Sequence, residues 1–297
     1  MTRASVLIPT HNHHLTLPMT VATVLAQTVR DLEVILIGDG VTDQVREVAQ
    51  SLVAADSRVI FMDRPKGVHH GEPYRHEAIE MASSDAIFYL CDDDLLLPDH
   101  VSDLLELLED HNFVQCMNSM ITTEGELRIL PSDLSIGRII HWHVTEQPFF
   151  NSTSLTGTAH SRSFYLQVGD PWEVPSDGCP PDAFQWRKLM RHSDFRGATS
   201  TRVTALQLPT SMGREKVDQS ARSKELQSWA ELVAAPDAQT RIDELVIEAT
   251  RVQLVETFIA QEKLSRSLKR EWGRPSKRAV QKLRGWLGKP NIPPYVD

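Results

Sequence analysis

The 297-residue chain has only three cysteines, Cys91, Cys116 and Cys179, and no two of them are close in sequence. Such an odd, scattered set is neither a disulfide framework nor a zinc site, and it suits a reducing compartment. Long apolar runs are also missing: no stretch reaches the roughly 18 residues a membrane-spanning helix requires. The first residues, Met1 to Ser5, lead into a short β-type run without the apolar segment of a secretory leader. These absences point to a cytoplasmic location. Two phosphate-binding signatures are absent as well. No P-loop and no GxGxxG turn follows a strand-like segment, which disfavours kinases, ATPases and dinucleotide-dependent dehydrogenases. No internal repeat or low-complexity tract is present.

Hydrophobic residues make up 41% of the chain, enough for a sizeable core and too many for general disorder. The net charge of -9 hides an asymmetry. Between Lys263 and Lys289 there are ten Lys or Arg residues and one acid, Glu271, so that segment carries about +9 and the remainder about -18. An acidic body argues against nucleic acid as a partner. The basic tail, with Trp272, Val280, Leu283, Trp286 and Leu287 among its cations, has two readings: an amphipathic helix on an anionic membrane surface, peripheral at its inner face, or a helix packed on protein.

Periodicity divides the chain. Apolar runs at Ala4–Pro9, Leu32–Ile37, Val59–Met62, Ala86–Leu90 and Phe113–Met117 read as strands. Between them, Leu17–Gln27, Asp43–Ala54, Glu72–Ala82 and Val101–Leu108 have helical spacing. Strand alternating with helix predicts an α/β architecture with a mostly parallel sheet. From Ile121 to Pro209 the pattern is irregular, with one clear helix near Asp182–Arg191. Glu225–Lys269 reads as long and helical, broken at Pro236. The expected division is a domain over 1–215, with halves 1–120 and 121–215, and a helical extension over 216–297.

Three adjacent carboxylates, Asp92, Asp93 and Asp94, end the fourth strand-like run. They repel one another unless something positive sits there. Hard divalent cations take oxygen ligands, and ligands of open α/β sheets bind beyond the carboxyl ends of the strands. The triplet is therefore a candidate metal-diphosphate site. The competing reading is a helix N-terminus, where carboxylates meet free N–H groups. Other strand ends carry polar groups too: Pro9-Thr10-His11-Asn12 after the first and Gly38-Asp39-Gly40 after the second, with Arg75 in the helix before the fourth. In a parallel sheet these ends converge on one edge. A carboxylate such as Asp39 can accept a base N–H, and an Arg can pair with a diphosphate.

This ordered set resembles the family 2 glycosyltransferases of GT-A fold. The stretches that carry the likeness are Ser5–Asn12, Leu25–Thr28, Gly38–Asp43, Arg75 and Tyr89–Pro98, continued by Thr158–Arg162, Val168-Gly169 and Pro181–Arg187. The resemblance covers roughly residues 4 to 215. It implies a Rossmann-like mixed sheet flanked by helices. It also implies transfer of a sugar from a nucleotide-diphosphate sugar, most naturally a UDP-sugar, to an acceptor hydroxyl with inversion. The acceptor would be a glycan, a lipid-linked molecule or a small molecule. Pro9, Thr10, His11 and Asp39 would hold the nucleotide, with Arg75 supporting the pocket. Asp92 and Asp93 match the family's DxD region and would carry Mn2+ or Mg2+, Asp93 as the direct ligand. That leaves Asp94 as a helix cap. Asp182 matches the general base of inverting members, and a helix N-cap role is compatible with it.

Three departures stand out. Cys91 takes the place of the first Asp of the DxD motif, His11 of a common Tyr and His76 of a common Asn. Cys91 keeps open a degenerate binding module; a nucleotidyltransferase is the other alternative, weakened by the lack of a glycine-rich basic loop after the first strand. Arg214 reads either as a cation closing over the diphosphate or as part of a solvated loop. Trp172 and Trp186 read as sugar-stacking platforms or as core. His69-His70 and His141-Trp142-His143 read as surface or acceptor-loop residues.

Overall fold

The computed structural model describes residues 2–145, 150–175, 178–210, 213–214 and 216–272. Two compact units divide the chain, Met1–Ala249 and Thr250–Asp297. The first opens with β1 (Ala4–Thr10), α1 (Leu17–Leu25), β2 (Leu32–Asp39), α2 (Asp43–Ala55), β3 (Val59–Arg64), α3 (Glu72–Met81) and β4 (Ala86–Tyr89). Then come β5 (Leu95–Leu96), α4 (His100–Leu108), β6 (Phe113–Gln115), β7 (Asn118–Ile121), β8 (Leu127–Leu130), α5 (Gly137–Thr145), β9 (Thr158–Ser161) and α6 (Arg162–Val168). The order continues with α7 (Pro181–Met190), β10 (Gly197–Thr199), β11 (Ala205–Leu206), α8 (Gln219–Val233) and α9 (Ala238–Trp272).

Seven strands form one sheet in the order β10-β6-β9-β4-β1-β2-β3. β1 pairs in parallel with β2 and β4, β2 with β3, and β6 with β10. β9 alone runs antiparallel to both its neighbours, β4 and β6. β9 lies inside the irregular stretch because Thr158-Ala159-His160-Ser161 shows no apolar alternation. Its register explains why: His160 is fully buried between the sheet and α7, where Tyr89 and Trp186 surround it.

Both faces of the sheet are covered, so the central strands are apolar along most of their length, and the buried exceptions Ser5 and Glu33 hydrogen-bond to each other. On β1, Ala4, Val6 and Ile8 face a core closed by α1, α2 and α4, while Leu7 faces a second core. That second core holds Ile35, Ile37, Phe113, Trp172 and Trp186. Trp172 and Trp186 are thus packing residues at 2% and 0% exposure, which removes the sugar-stacking reading. A third apolar cluster joins β5, β7, β8 and β11 to Leu226 and Val233 of α8 and Ile242 of α9. The first half of the expected extension therefore shares a core with the preceding domain.

In the second unit, α9 continues to Trp272, with Leu254, Val255, Phe258 and Leu264 exposed. The basic segment from 273 onward, Lys277 to Leu287 included, lies outside the described residues. Among the described residues, no helix is long and apolar enough to cross a membrane.

Candidate active site

A cleft of about 620 Å³ opens beyond the carboxyl ends of β1, β2 and β4. Its size suits a small-molecule ligand. Pro9, Thr10, His11, Asp39, Arg75, Asp92 and Asp93 all line it, as do His13, Lys66, His69, His70 and Cys91. The parallel pairing of β1 with β2 and β4 brings these residues together, because it sets Thr10 beside Gly38 and carries β4 to the same edge.

Asp39, at the end of β2, is 5% exposed. Its carboxylate accepts the Gly67 N–H at 2.6 Å and is ion-paired with Lys66. Two glycines permit that closure. Gly71, at φ +64, lies so close that a Cβ would stand 2.7 Å from the Asp39 carboxyl carbon. Gly40, at φ +58, would place a Cβ 2.5 Å from Lys66. His11 shares a hydrogen bond between its Nδ1 and the Asp39 carbonyl at 2.8 Å. Thr10 has a buried hydroxyl without a protein partner. A buried hydroxyl left unsatisfied is costly, and a bound ligand would supply what is missing.

Arg75 projects from α3 and is 6% exposed. Its Nη1 donates to the His70 carbonyl at 3.1 Å, its guanidinium lies 5.2 Å from the Trp172 ring centroid, and its Nε has no partner. Burial lowers its pKa, opposed chiefly by the nearby Glu72 and more weakly by Asp182.

The acidic triplet is held by separate partners for each carboxylate. Asp92 Oδ1 lies 2.8 Å from His13 Nδ1. Asp93 is ion-paired with Arg222 of α8. Asp94 accepts the Leu208 N–H at 2.8 Å and the Thr156 hydroxyl. Asp94 is therefore not a helix cap: α4 starts at His100 with Asp99 before it, and Asp94 is a buried staple. The backbone of the triplet is anchored by a polar stripe on α1. Thr16 donates to the Asp92 carbonyl, Thr20 to the Asp94 carbonyl, and Thr23 accepts the Leu96 N–H. Spaced three or four apart, these threonines share one helix face. Burial, then the Asp92 charge, raises the Asp93 pKa to about 6. His13 is raised by its hydrogen bond to Asp92, against the opposing effect of burial. Cys91 has its thiol pushed well up by burial, while its N–H donates to Thr156 Oγ1 at 2.9 Å.

Ligand atoms of His13, Asp92 and Asp93 all lie within 4.8 Å of one another. Two carboxylates and an imidazole form a donor set that fits a divalent cation, Mn2+ better than Mg2+, because imidazole favours the transition metals.

Asp182 does not line the cleft. It sits in the first turn of α7, where Pro180 is the N-cap and Pro181 follows, so Asp182 is not itself the N-cap. Its carboxylate accepts the Ala183 N–H at 2.9 Å and the Asn151 amide at 3.4 Å. Burial raises its pKa. Arg214 has neither of its expected roles. It is 1% exposed, ion-paired with Glu225, and donates to the carbonyls of Ile121 and Thr122. It is neither solvated nor directed at the cleft, because its guanidinium fills a buried carbonyl pocket. His13, Lys66 and Arg222 also reach the site's carboxylates, though no sequence motif marks them. The only local signal for His13 was its place in the polar loop after β1, and Arg222 lies 129 positions beyond its partner Asp93.

A mixed sheet with this cleft beyond its parallel strand ends is the GT-A type of α/β fold. The sequence model described as "Glycosyl transferase family 2" matches residues 5–166, more than half of the chain, and the chain belongs to that family. Among curated proteins, the chain is 28% identical over 130 residues to a GalNAc(5)-diNAcBac-PP-undecaprenol beta-1,3-glucosyltransferase of Campylobacter jejuni, covering 43% of this chain and 41% of that protein. It is 34% identical over 177 residues to a chondroitin synthase of Pasteurella multocida, covering 59% of this chain but 17% of the synthase. The chain thus spans well under two thirds of these relatives' lengths. Among solved structures, S. aureus TarS 1-349 in complex with UDP-GlcNAc superposes with a TM-score of 0.55 at 14% identity, covering 84% of this chain and 71% of that one. The mannosyltransferase PcManGT from Pyrobaculum calidifontis, in complex with GDP-Man and Mn2+, gives 0.50 at 13% identity, covering 92% and 88%. At these identities the likeness concerns the fold.

Proposed function

We propose that the protein transfers a sugar from a nucleoside-diphosphate donor, a UDP-sugar, to a hydroxyl of a glycan or lipid-linked acceptor, with inversion. The observation that carries this reading is the convergence of Asp39, Arg75, Asp92 and Asp93 on one cleft at the strand ends. TarS in complex with UDP-GlcNAc and a relative named for an undecaprenol-linked substrate support the donor and acceptor classes. Membrane attachment through the basic tail would suit a lipid-linked acceptor.

Asp39 would read the nucleobase N–H after exchanging it for Lys66, and the unpartnered Thr10 hydroxyl would bond the ribose. Arg75, with a free Nε, would hold the cleft wall between donor and acceptor. Asp92 and Asp93 would carry Mn2+ or Mg2+, which would supply a Lewis acid to neutralise the departing diphosphate. Asp182 would accept the proton of the acceptor hydroxyl as its oxygen attacks the anomeric carbon, and a single displacement inverts that centre. Burial keeps the Asp182 carboxyl basic enough for this role.

The test is calorimetry of the whole chain with UDP, GDP and their sugars, with and without Mn2+, followed by release of nucleoside diphosphate from the sugar that binds. Binding with metal-stimulated release supports the reading. Absence of binding to every nucleoside diphosphate refutes it, and binding without turnover in the presence of acceptor extracts would leave a binding module.

A further inference from the structure

Helix α8 brings a cation to the acidic triplet. Arg222 is ion-paired with Asp93, and both side chains are largely withdrawn from water at 11% and 14% exposure. The same helix is tied to the loop that follows β1: Gln219 Nε2 donates to the Asn12 carbonyl at 2.8 Å, and the Ser223 hydroxyl lies 3.4 Å from the Leu15 carbonyl. That loop carries His13. Its backbone is fixed in turn, because the His13 carbonyl accepts the N–H groups of Thr16 and Leu17 at the start of α1.

His13 Nδ1 stands 2.8 Å from Asp92 Oδ1 and 4.0 Å from Asp93 Oδ2. Metal–ligand distances of about 2.1 Å place adjacent ligand atoms about 3 Å apart and opposite ones about 4.2 Å apart. The two His13 distances match an adjacent and an opposite pair of ligands, and ligand atoms of all three residues lie within 4.8 Å of one another. We propose that His13 is a third protein ligand of the divalent cation at Asp92 and Asp93, and that the Arg222 guanidinium occupies this site in the ion's stead until metal binds. The proposal rests on the reading that a divalent cation serves the cleft, and it adds two properties to that reading. An imidazole in the donor set biases the site toward Mn2+ over Mg2+. Metal must also displace Arg222 from Asp93, so metal loading is coupled to the latch formed by α8. A site whose competent state is only partly populated binds more weakly by that fraction.

The experiment uses the full chain with Mn2+ and Mg2+ as probes, each titrated by calorimetry with and without UDP, and pulsed electron paramagnetic resonance of bound Mn2+. A nitrogen coupling from a directly bound imidazole is expected in the native chain and absent in His13→Ala, whose Mn2+ affinity falls about tenfold or more while Mg2+ affinity changes less. Arg222→Gln is expected to tighten Mn2+ binding without UDP about tenfold, with Arg222→Lys in between. Circular dichroism checks that each variant is folded. Mn2+ bound by the native chain without nitrogen coupling overturns the ligand assignment. Arg222→Gln with unchanged or weaker Mn2+ affinity overturns the competition and makes Arg222 a support of the bound state. No Mn2+ binding by the native chain even with UDP overturns the proposal together with the metal reading beneath it.

Discussion

Replacing Asp182 by Asn changes one atom at the group assigned to take the acceptor's proton. The local structure predicts little cost in stability. The amide oxygen of Asn can still accept the Ala183 N–H that the carboxylate accepts at 2.9 Å, and the weak Asn151 contact at 3.4 Å contributes little. A change in unfolding free energy within about 1 kcal/mol is expected. The chemistry is a different matter, since an amide cannot act as a base. Loss of general-base catalysis is worth about 10²- to 10⁴-fold in rate, or about 3 to 5 kcal/mol of barrier. Asp182 stands outside the cleft's lining, so nucleoside-diphosphate affinity is expected to stay near native. The assay is transfer at saturating donor across pH, with donor affinity measured separately by calorimetry. The native rate should show an acidic limb above the ordinary carboxylate range, because burial raises the Asp182 pKa. That limb should vanish in Asp182→Asn. Transfer that survives within about tenfold, or about 1.4 kcal/mol, refutes the assignment. So does a loss of donor affinity that matches the loss of rate, since Asp182 would then serve binding.

Asp39→Ala removes a charge-assisted acceptor worth about 1.5–3 kcal/mol, so donor affinity should fall about 10- to 150-fold by calorimetry; an unchanged affinity would mean that Asp39 only holds Lys66 and Gly67. Arg214→Ala leaves Glu225 and two buried carbonyls without their cation, and should cost about 3 kcal/mol in urea denaturation while donor affinity of the folded fraction holds. His100 is fully buried against Thr204, and burial lowers its pKa to about 3. The unfolded chain therefore takes up a proton near pH 6.5 that the folded chain refuses, so this residue's contribution to stability is intact above that pH and is lost as pH falls toward 3. The stability gap between native and His100→Asn should accordingly narrow by up to about 2 kcal/mol from pH 7 to pH 5, and a gap independent of pH would contradict the neutral buried imidazole.

Much of the fold is local in origin. The apolar runs of β1, β2 and β4 announce buried strands because their consecutive apolar side chains reach a core on one face or the other. The turns after them contain Asp39 and Asp92-Asp93 because carboxylates tolerate irregular backbone at a polar edge. Where pairing partners are remote, local patterns fall silent. β9 is a strand through its two neighbours, since β4 and β6 satisfy its backbone groups on both sides. The polar stripe Thr16, Thr20 and Thr23 looks like the solvated face of α1, yet it anchors the backbone of Asp92, Asp94 and Leu96. Arg214 and Arg222 are both arginines in a polar stretch; one fills a carbonyl pocket and the other meets Asp93.

The sequence by itself determined the α/β class, because strand and helix periodicity acts over a few neighbouring residues, and its ordered motifs resemble a family whose donor-site carboxylates they match. Tertiary structure alone decided which partner each carboxylate has: His13 for Asp92, Arg222 for Asp93, Thr156 and Leu208 for Asp94, and Lys66 for Asp39. It also placed Asp182 outside the cleft's lining, within electrostatic reach of Arg75. The physical reason is range. A side chain's charge and donors are written in its residue type, but the group they meet is set by how helices and loops 27 to 129 positions away pack over the sheet's edge.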